Sequence, residues 1–283
     1  MAGMLFTLKT TVPCRRELAR EGHECAVFIL LKRVIVNDLR EQARSYRGRA
    51  LFSNSGAQRM SRILVLMFAG LVLCTSQVLA DGLKIGVIGA GNVGGTLGTL
   101  WAKAGHSVMF SSRHPEALTE LVRAAGPNAQ AGSVSDAAAW GDVIVLSVPY
   151  GAMPTLSEQL KGKLAGKVVF STSNPFSGRD GDVGRKALDL GVALADQQYL
   201  PGVHLVRAFN AIGYASMKDQ SGKNKAIPTF ADDTQARELG ARLVRDAGFV
   251  PVLIPLARAN EGLPGGPLSG VMSETELKRR LGL

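Results

Sequence analysis

The sequence predicts an α/β fold: a doubly wound, mostly parallel sheet with helices on both faces. Three observations carry that expectation. From residue 84 onward, short apolar runs alternate with stretches whose apolar residues recur at helical spacing. Several runs are apolar from end to end, as strands covered on both faces are. A glycine-rich turn stands between the first run and the first helical stretch.

Residues 84–89 read as the first strand. In 92–104, Val93, Leu97, Leu100, Trp101 and Ala104 form one stripe, and Gly105 can end that helix. Residues 106–110 are the second strand, and Pro115 opens a second helix with Leu118, Leu121 and Val122 on one face. Residues 142–148 and 167–171 are near-continuous apolar runs, followed by strands at 204–209 and 226–230. A helix near 233–247 and a strand near 249–254 come next, and Ser273-x-x-Glu276 has the spacing of a capping box for a short last helix. Strands separated by helices imply crossover connections and therefore parallel pairing.

Gly89-Ala90-Gly91-Asn92-Val93-Gly94 matches G-x-G-x-x-G, with a strand before it and an amphipathic helix after it. In a Rossmann-type domain the first glycine permits the turn and the second admits a pyrophosphate. The third lets helix and strand pack closely, and the helix N-terminus offers free amides to the anion. Gly95 and Gly98 extend the small-residue face. After the second strand an NAD site wants a carboxylate for the ribose hydroxyls. Ser111-Ser112-Arg113-His114 stands there instead, so two hydroxyls and a guanidinium favour the 2′-phosphate of NADP. His114 reads as a turn residue at the adenosine end.

These motifs, with Leu146-Ser147-Val148-Pro149-Tyr150, Asn174-Pro175, Val206-Arg207-Ala208-Phe209-Asn210 and Phe230-Ala231-Asp232-Asp233, resemble the deazaflavin (factor-420)-dependent NADP oxidoreductases and related bacterial dinucleotide-binding proteins. The domain is similar to the nucleotide-binding half of pyrroline-5-carboxylate reductase and of the six-helix metalloreductases. The resemblance spans roughly residues 83–262. It implies that Gly89, Ala90, Gly91, Asn92, Val93 and Gly94 hold the pyrophosphate. Ser111, Ser112 and Arg113 would hold the adenosine end, and Ser147, Val148, Pro149 and Tyr150 would line the ribose and nicotinamide. Asn174 and Pro175 would flank the carboxamide, and Phe209, Asn210 and Ala211 would face the acceptor. Asn210 is a weak catalytic candidate and an ordinary loop residue with equal weight. Two departures fall on the acceptor side. Deazaflavin-using members often have His where Asn210 stands, and residues 261–267 are too rich in Gly and Pro to continue a helix.

The function implied is hydride transfer between NADP(H) and a small-molecule acceptor, such as a deazaflavin or flavin. The alternatives are a non-catalytic NADP-binding sensor or interaction module, and an NADPH electron-input domain for a flavin-bearing partner. Hydride transfer needs no dedicated acid or base when the acceptor brings its own chemistry. A homodimer is implied by resemblance alone.

Composition removes other classes. The net charge of +10 is uneven: residues 1–59 hold 11 Lys/Arg against 5 Asp/Glu, while residues 60–283 hold 22 against 18. The body is only mildly basic and its aromatic fraction is 6%, so nucleic acid is not expected. Cys14, Cys25 and Cys74 all precede residue 81, which excludes a disulfide framework or thiolate site in the body. The four histidines show no metal spacing, and Asp180-Gly181-Asp182 reads as a solvated turn.

The domain reading is a basic leader at 1–59, a signal peptide or anchor at 60–80, the NADP-binding domain at 81–262, and a Gly/Pro loop with a short helix at 263–283. Residues 60–80 run from a positive start through a 12-residue apolar stretch to Val78-Leu79-Ala80, an export pattern with Val78 and Ala80 at the −3 and −1 places. Met60 then reads as a start, with 1–59 as upstream sequence or a basic tail. Export to the periplasm is the expectation from this segment. The cytoplasm is the alternative, because NADP is a cytosolic cofactor, and membrane contact would come only through an uncleaved segment.

Overall fold

The computed structural model describes residues 82–283. The leader and the export-like segment at 60–80 lie outside the described residues. Nine strands form one sheet: β1 (Lys84–Ile88), β2 (Ser107–Ser111), β3 (Ala129–Gly132), β4 (Val143–Leu146), β5 (Val168–Ser171), β6 (His204–Ala208), β7 (Lys225–Phe230), β8 (Val250–Ile254) and β9 (Met272–Ser273). The spatial order is β3-β2-β1-β4-β5-β6-β7-β8, with β9 also paired to β7. All pairings from β3 to β6 are parallel. The direction reverses at β7, which is antiparallel to β6 and β9 and parallel to β8. Hydrophobic patterning carries no strand direction, so this reversal could not be read beforehand.

Nine α-helices surround the sheet among the described residues: α1 (Asn92–Lys103), α2 (Thr119–Ala125), α3 (Val134–Trp140), α4 (Met153–Gln159), α5 (Ser177–Leu190), α6 (Val192–Tyr199), α7 (Tyr214–Gln220), α8 (Thr234–Asp246) and α9 (Glu274–Leu281). None is long and apolar enough to cross a membrane. The α/β fold is as the sequence predicts. Alternation within each strand feeds two cores. Val143 and Val145 of β4 join Leu97 and Trp101 of α1 and Leu243 of α8 on one face, while Ile144 and Leu146 join Ala137 of α3 and Met153 of α4 on the other. Trp101 is fully buried, donates its indole N–H to Leu243 O at 2.8 Å, and meets Phe170 edge-on at 5.8 Å.

Pro115 opens a 3-10 turn (Pro115–Leu118) before α2. Ser273 caps α9 by accepting from Glu276 N at 3.2 Å, but the Glu276 carboxylate pairs forward with Arg279 and Arg280 instead of closing the box. Residues 256–262 form a 3-10 segment, and the Gly/Pro stretch beyond is a series of turns. Residues 263–283 are built onto the sheet, with Leu268, Met272 and Leu277 buried in the same core as β7 and β8.

At Phe209 the strand alternation breaks. Leu205 faces one core and Val206 and Ala208 the other, so Phe209 should fall with Leu205. Its φ of 60° turns the ring to the opposite core, against Phe249 at 5.4 Å and Phe170 at 6.1 Å. A left-handed bulky residue costs about 1–3 kcal/mol, so this aromatic packing must over-determine it.

Candidate functional site

The strand order reverses between β1 and β4, and in such sheets the crevice at the carboxyl ends of those strands receives the ligand. The glycine turn lies at that point. Gly89 has φ +95°, and Gly89 N–H and Ala90 N–H both donate to Ser111 O at 3.2 Å, which ties the turn to the end of β2. A Cβ on Gly94 would lie 2.2 Å from Gly89 O, so Gly94 permits the close helix–strand approach. A Cβ on Gly98 would lie 2.3 Å from the Phe110 ring, for the same reason one turn on.

Gly91 differs from these. Its backbone is extended (φ −79°), and a Cβ there would meet nothing within 4 Å. Nothing in the protein's packing requires glycine at this position, and Gly91 lines the crevice. Helix α1 starts here with no side-chain cap and no acidic residue in its first turn. Its positive end is therefore uncompensated and suited to an anion. These are the features a pyrophosphate needs, and the residues fit the group.

Two cavities adjoin at Gly91, Ser147, Val148 and Pro149. The first, about 680 Å³, is lined by Gly89, Ala90, Ser112 and Arg113, with Val134, Thr155 and Gln159 opposite. The second, about 610 Å³, is lined by Asn92, Val93, Thr172, Ser173, Asn174, Phe176, Arg179, Asn210, Ala211 and Tyr214. Arg113 is exposed and makes no hydrogen bond or ion pair among the described residues, so its guanidinium is uncommitted. Ser112 Oγ accepts from His114 N at 2.9 Å and keeps its proton to donate. His114 is exposed and lies 3.3 Å from the Glu116 carboxylate, as a turn residue would.

Five expected site residues are placed elsewhere, one of them Phe209, whose left-handed backbone turns its ring into the core against Phe170 and Phe249 and away from the acceptor side. Ser111 is fully buried and donates to Val87 O at 3.0 Å, so its hydroxyl supports the turn from beneath. Tyr150 is fully buried, with its hydroxyl donating to Asp196 Oδ1 at 2.8 Å. Burial first, and then the Asp196 carboxylate, push its phenol far above the ordinary value. Pro175 is buried behind the cleft wall, and Gly94 sits inside the helix–strand contact. Asn174 and Asn210 do meet in the second cavity: Asn174 Nδ2 donates to Asn210 O at 2.8 Å, and Asn210 Nδ2 donates to Asn174 Oδ1 at 3.1 Å.

Asp180 corrects a sequence expectation, because it is buried and no part of a solvated turn. Its carboxylate accepts from Gly151 N at 3.0 Å and Phe176 N at 2.8 Å, and takes both Nε and Nη2 of Arg179. Burial opposes its charge, but Arg179 and the two amides outweigh that and hold its pKa below the ordinary carboxylate value. Arg179 also donates to Asn174 O at 2.8 Å and lies over the Phe176 ring. This clamp joins the turn after β4 to the start of α5. Sequence reasoning missed it, together with Thr172, Tyr214 and Gln159, because no local motif marks them. No cluster of metal-ligating side chains occurs among the described residues.

Fold and site together define a Rossmann-type α/β domain with a two-part cleft at the carboxyl ends of its strands. Residues 84–175 match the family described as NADP oxidoreductase, coenzyme F420-dependent. The chain is 26% identical over 200 residues to the metalloreductase STEAP3 of Rattus norvegicus, covering 67% of this chain and 38% of that protein. It is 37% identical over 87 residues to the F420-dependent NADP reductase of Methanocaldococcus jannaschii, covering 30% of this chain and 39% of that one. The matches thus span less than two fifths of either relative's length. Among solved structures it resembles the hypothetical protein SMa0349 from Sinorhizobium meliloti (TM-score 0.57, 23% identity, 70% of this chain and 98% of that one). It also resembles a protein from Arthrobacter sp. FB24 assigned as an F420-dependent NADP reductase (TM-score 0.50, 22% identity, 63% and 87%).

Proposed function

We propose that the chain is an NADP(H)-dependent oxidoreductase. The first cavity would hold the adenosine and its 2′-phosphate, and the second would receive the nicotinamide and a planar acceptor of the deazaflavin or flavin type. The observation that carries this reading is the uncommitted Arg113 beside Ser112 at the end of β2, one cavity away from the Asn174–Asn210 floor. A guanidinium with no ion-pair partner among the described residues suits a 2′-phosphate and gives NADH no matching advantage. The family description and the two curated relatives, both named as reductases, support it.

When bound, NADPH supplies the hydride. The protein's residues bind and orient. The uncapped start of α1 and the Gly91 backbone face the pyrophosphate, and Pro149 and Val148 divide the two halves of the cleft. The Asn174–Asn210 pair and the Arg179 clamp give the acceptor half a rigid polar wall. No side chain is required to move a proton in the hydride step. We further propose, from the pattern at 60–80, that the chain is directed out of the cytoplasm.

The test is NADPH oxidation by the full chain, followed at the nicotinamide absorbance with FMN, a deazaflavin and a ferric chelate offered in turn. Turnover with one of these, and faster with NADPH than NADH, supports the reading. Tight NADPH binding with no turnover against any of them favours a sensor module.

A further inference from the structure

Buried behind the residues that line the cleft lies a charged group that the proposed chemistry does not use. Arg207 and Asp196 are both fully buried and paired, Arg207 Nη1 with Asp196 Oδ2. Tyr150 donates to the other Asp196 oxygen at 2.8 Å. Arg207 Nη2 donates to Ser173 O at 2.8 Å, and Nη1 also reaches Ser171 Oγ at 3.3 Å. Four segments meet here: the turn after β4, the end of β5, β6 and α6.

A buried ion pair of this kind is poor evidence of stabilisation, because an apolar replacement of equal volume is often as stable. What distinguishes this one is where its hydrogen bonds end. Ser173 O belongs to the segment that forms the cleft wall, and Ser173 Oγ accepts from Val148 N at 3.2 Å, binding that wall to the divider between the two cavities. Tyr150 directly follows Pro149, which lines both. Two residues beyond Arg207, the left-handed Phe209 delivers Asn210 to the same wall. Arg207 Nε is left with no hydrogen-bond partner, so the guanidinium's aim follows from the groups it does reach.

We propose that Arg207, Asp196 and Tyr150 are positioning residues that set the ends of β4 and β5 across the nicotinamide half of the cleft. The proposal rests on the NADPH reading above. They touch no ligand, and act by fixing the carbonyl of Ser173 and the turn at Pro149. The adenosine half shares Val148 and Pro149 with the nicotinamide half, but its other walls, from β1, the glycine turn, the end of β2 and α4, take no part in these hydrogen bonds.

The experiment compares two ligands on the full chain: NADPH, and the same molecule without its nicotinamide, 2′-phosphoadenosine 5′-diphosphoribose. Dissociation constants and melting temperatures are measured for the unaltered chain, for Tyr150→Phe, and for the paired replacement Asp196→Leu with Arg207→Met. The expected result is a fragment affinity within about twofold in all three, with NADPH affinity falling roughly tenfold in the paired replacement and in the same direction in Tyr150→Phe. A merely structural role would weaken both ligands in proportion, and that result overturns the proposal. Unchanged NADPH affinity in the variants overturns it as well. If the paired replacement does not fold, Tyr150→Phe decides by the same ratio, since it leaves the ion pair in place. An unaltered chain that binds neither ligand overturns the NADPH reading and the proposal with it.

Discussion

Replacing Gly91 with Ala separates binding from folding. The residue has an extended backbone at φ −79°, which alanine adopts freely, and the added methyl would meet no protein atom within 4 Å. Two small terms remain. Gly91 is the N-cap of α1, where alanine is worse than glycine by about 0.5–1 kcal/mol. Against this, restricting the unfolded chain stabilises by about 0.4–1 kcal/mol. They nearly cancel, so the melting temperature should move by no more than about 2–4 °C. The methyl would occupy the open side of the turn, where a pyrophosphate must approach, so NADPH affinity should fall at least about tenfold, or 1.4 kcal/mol. Thermal unfolding and a nicotinamide fluorescence titration on the same sample give both numbers. NADPH affinity unchanged in Gly91→Ala would refute the reasoning. So would a large loss of stability, which would mean that the turn packs more tightly than the structure shows.

Gly94→Ala should do the reverse, since its methyl would lie 2.2 Å from Gly89 O; a loss of about 1–3 kcal/mol in chemical denaturation is expected. Trp101→Ala removes a fully buried ring and its bond to Leu243 O, and should cost about 3–5 kcal/mol, read as a melting temperature lower by roughly 6–20 °C. Asp180→Asn tests the clamp through pH. The folded Asp180 has its pKa depressed, so its contribution is complete above the unfolded value of 3.8 and is lost as pH falls through the folded value. The variant should therefore melt below the unaltered chain at neutral pH, and the gap should close as pH drops below about 4. A gap that is constant with pH would contradict the assignment.

Much of this fold is legible in the sequence because its central strands are covered on both faces. Val143–Leu146 is apolar throughout and Val168–Ser171 is apolar up to its last residue, and both are fully buried. Edge strand β3, Ala-Gln-Ala-Gly, is half-solvated and carries no such signal. The glycine turn is legible because its geometry is local: Gly89 must adopt a positive φ, and Gly94 leaves no room for a Cβ. Ser111, Tyr150 and Asp180 are not. Whether a hydroxyl or carboxylate faces ligand or core depends on partners far along the chain, Val87 for Ser111, Asp196 for Tyr150 and Gly151 for Asp180. Arg207 is the extreme case. A charged residue inside an apolar strand gives no hint of its partner until α6 and β5 are placed against it.

The most direct test of the central claim is a titration of the full chain with NADPH and with NADH, beside Arg113→Ala, following nicotinamide fluorescence. The account predicts that NADPH binds more tightly than NADH, and that Arg113→Ala abolishes the preference while leaving NADH affinity and melting temperature in place, because Arg113 is exposed and bonds to no other part of the described protein. Equal affinity for the two nucleotides in the unaltered chain, or a preference that survives in Arg113→Ala, would contradict it.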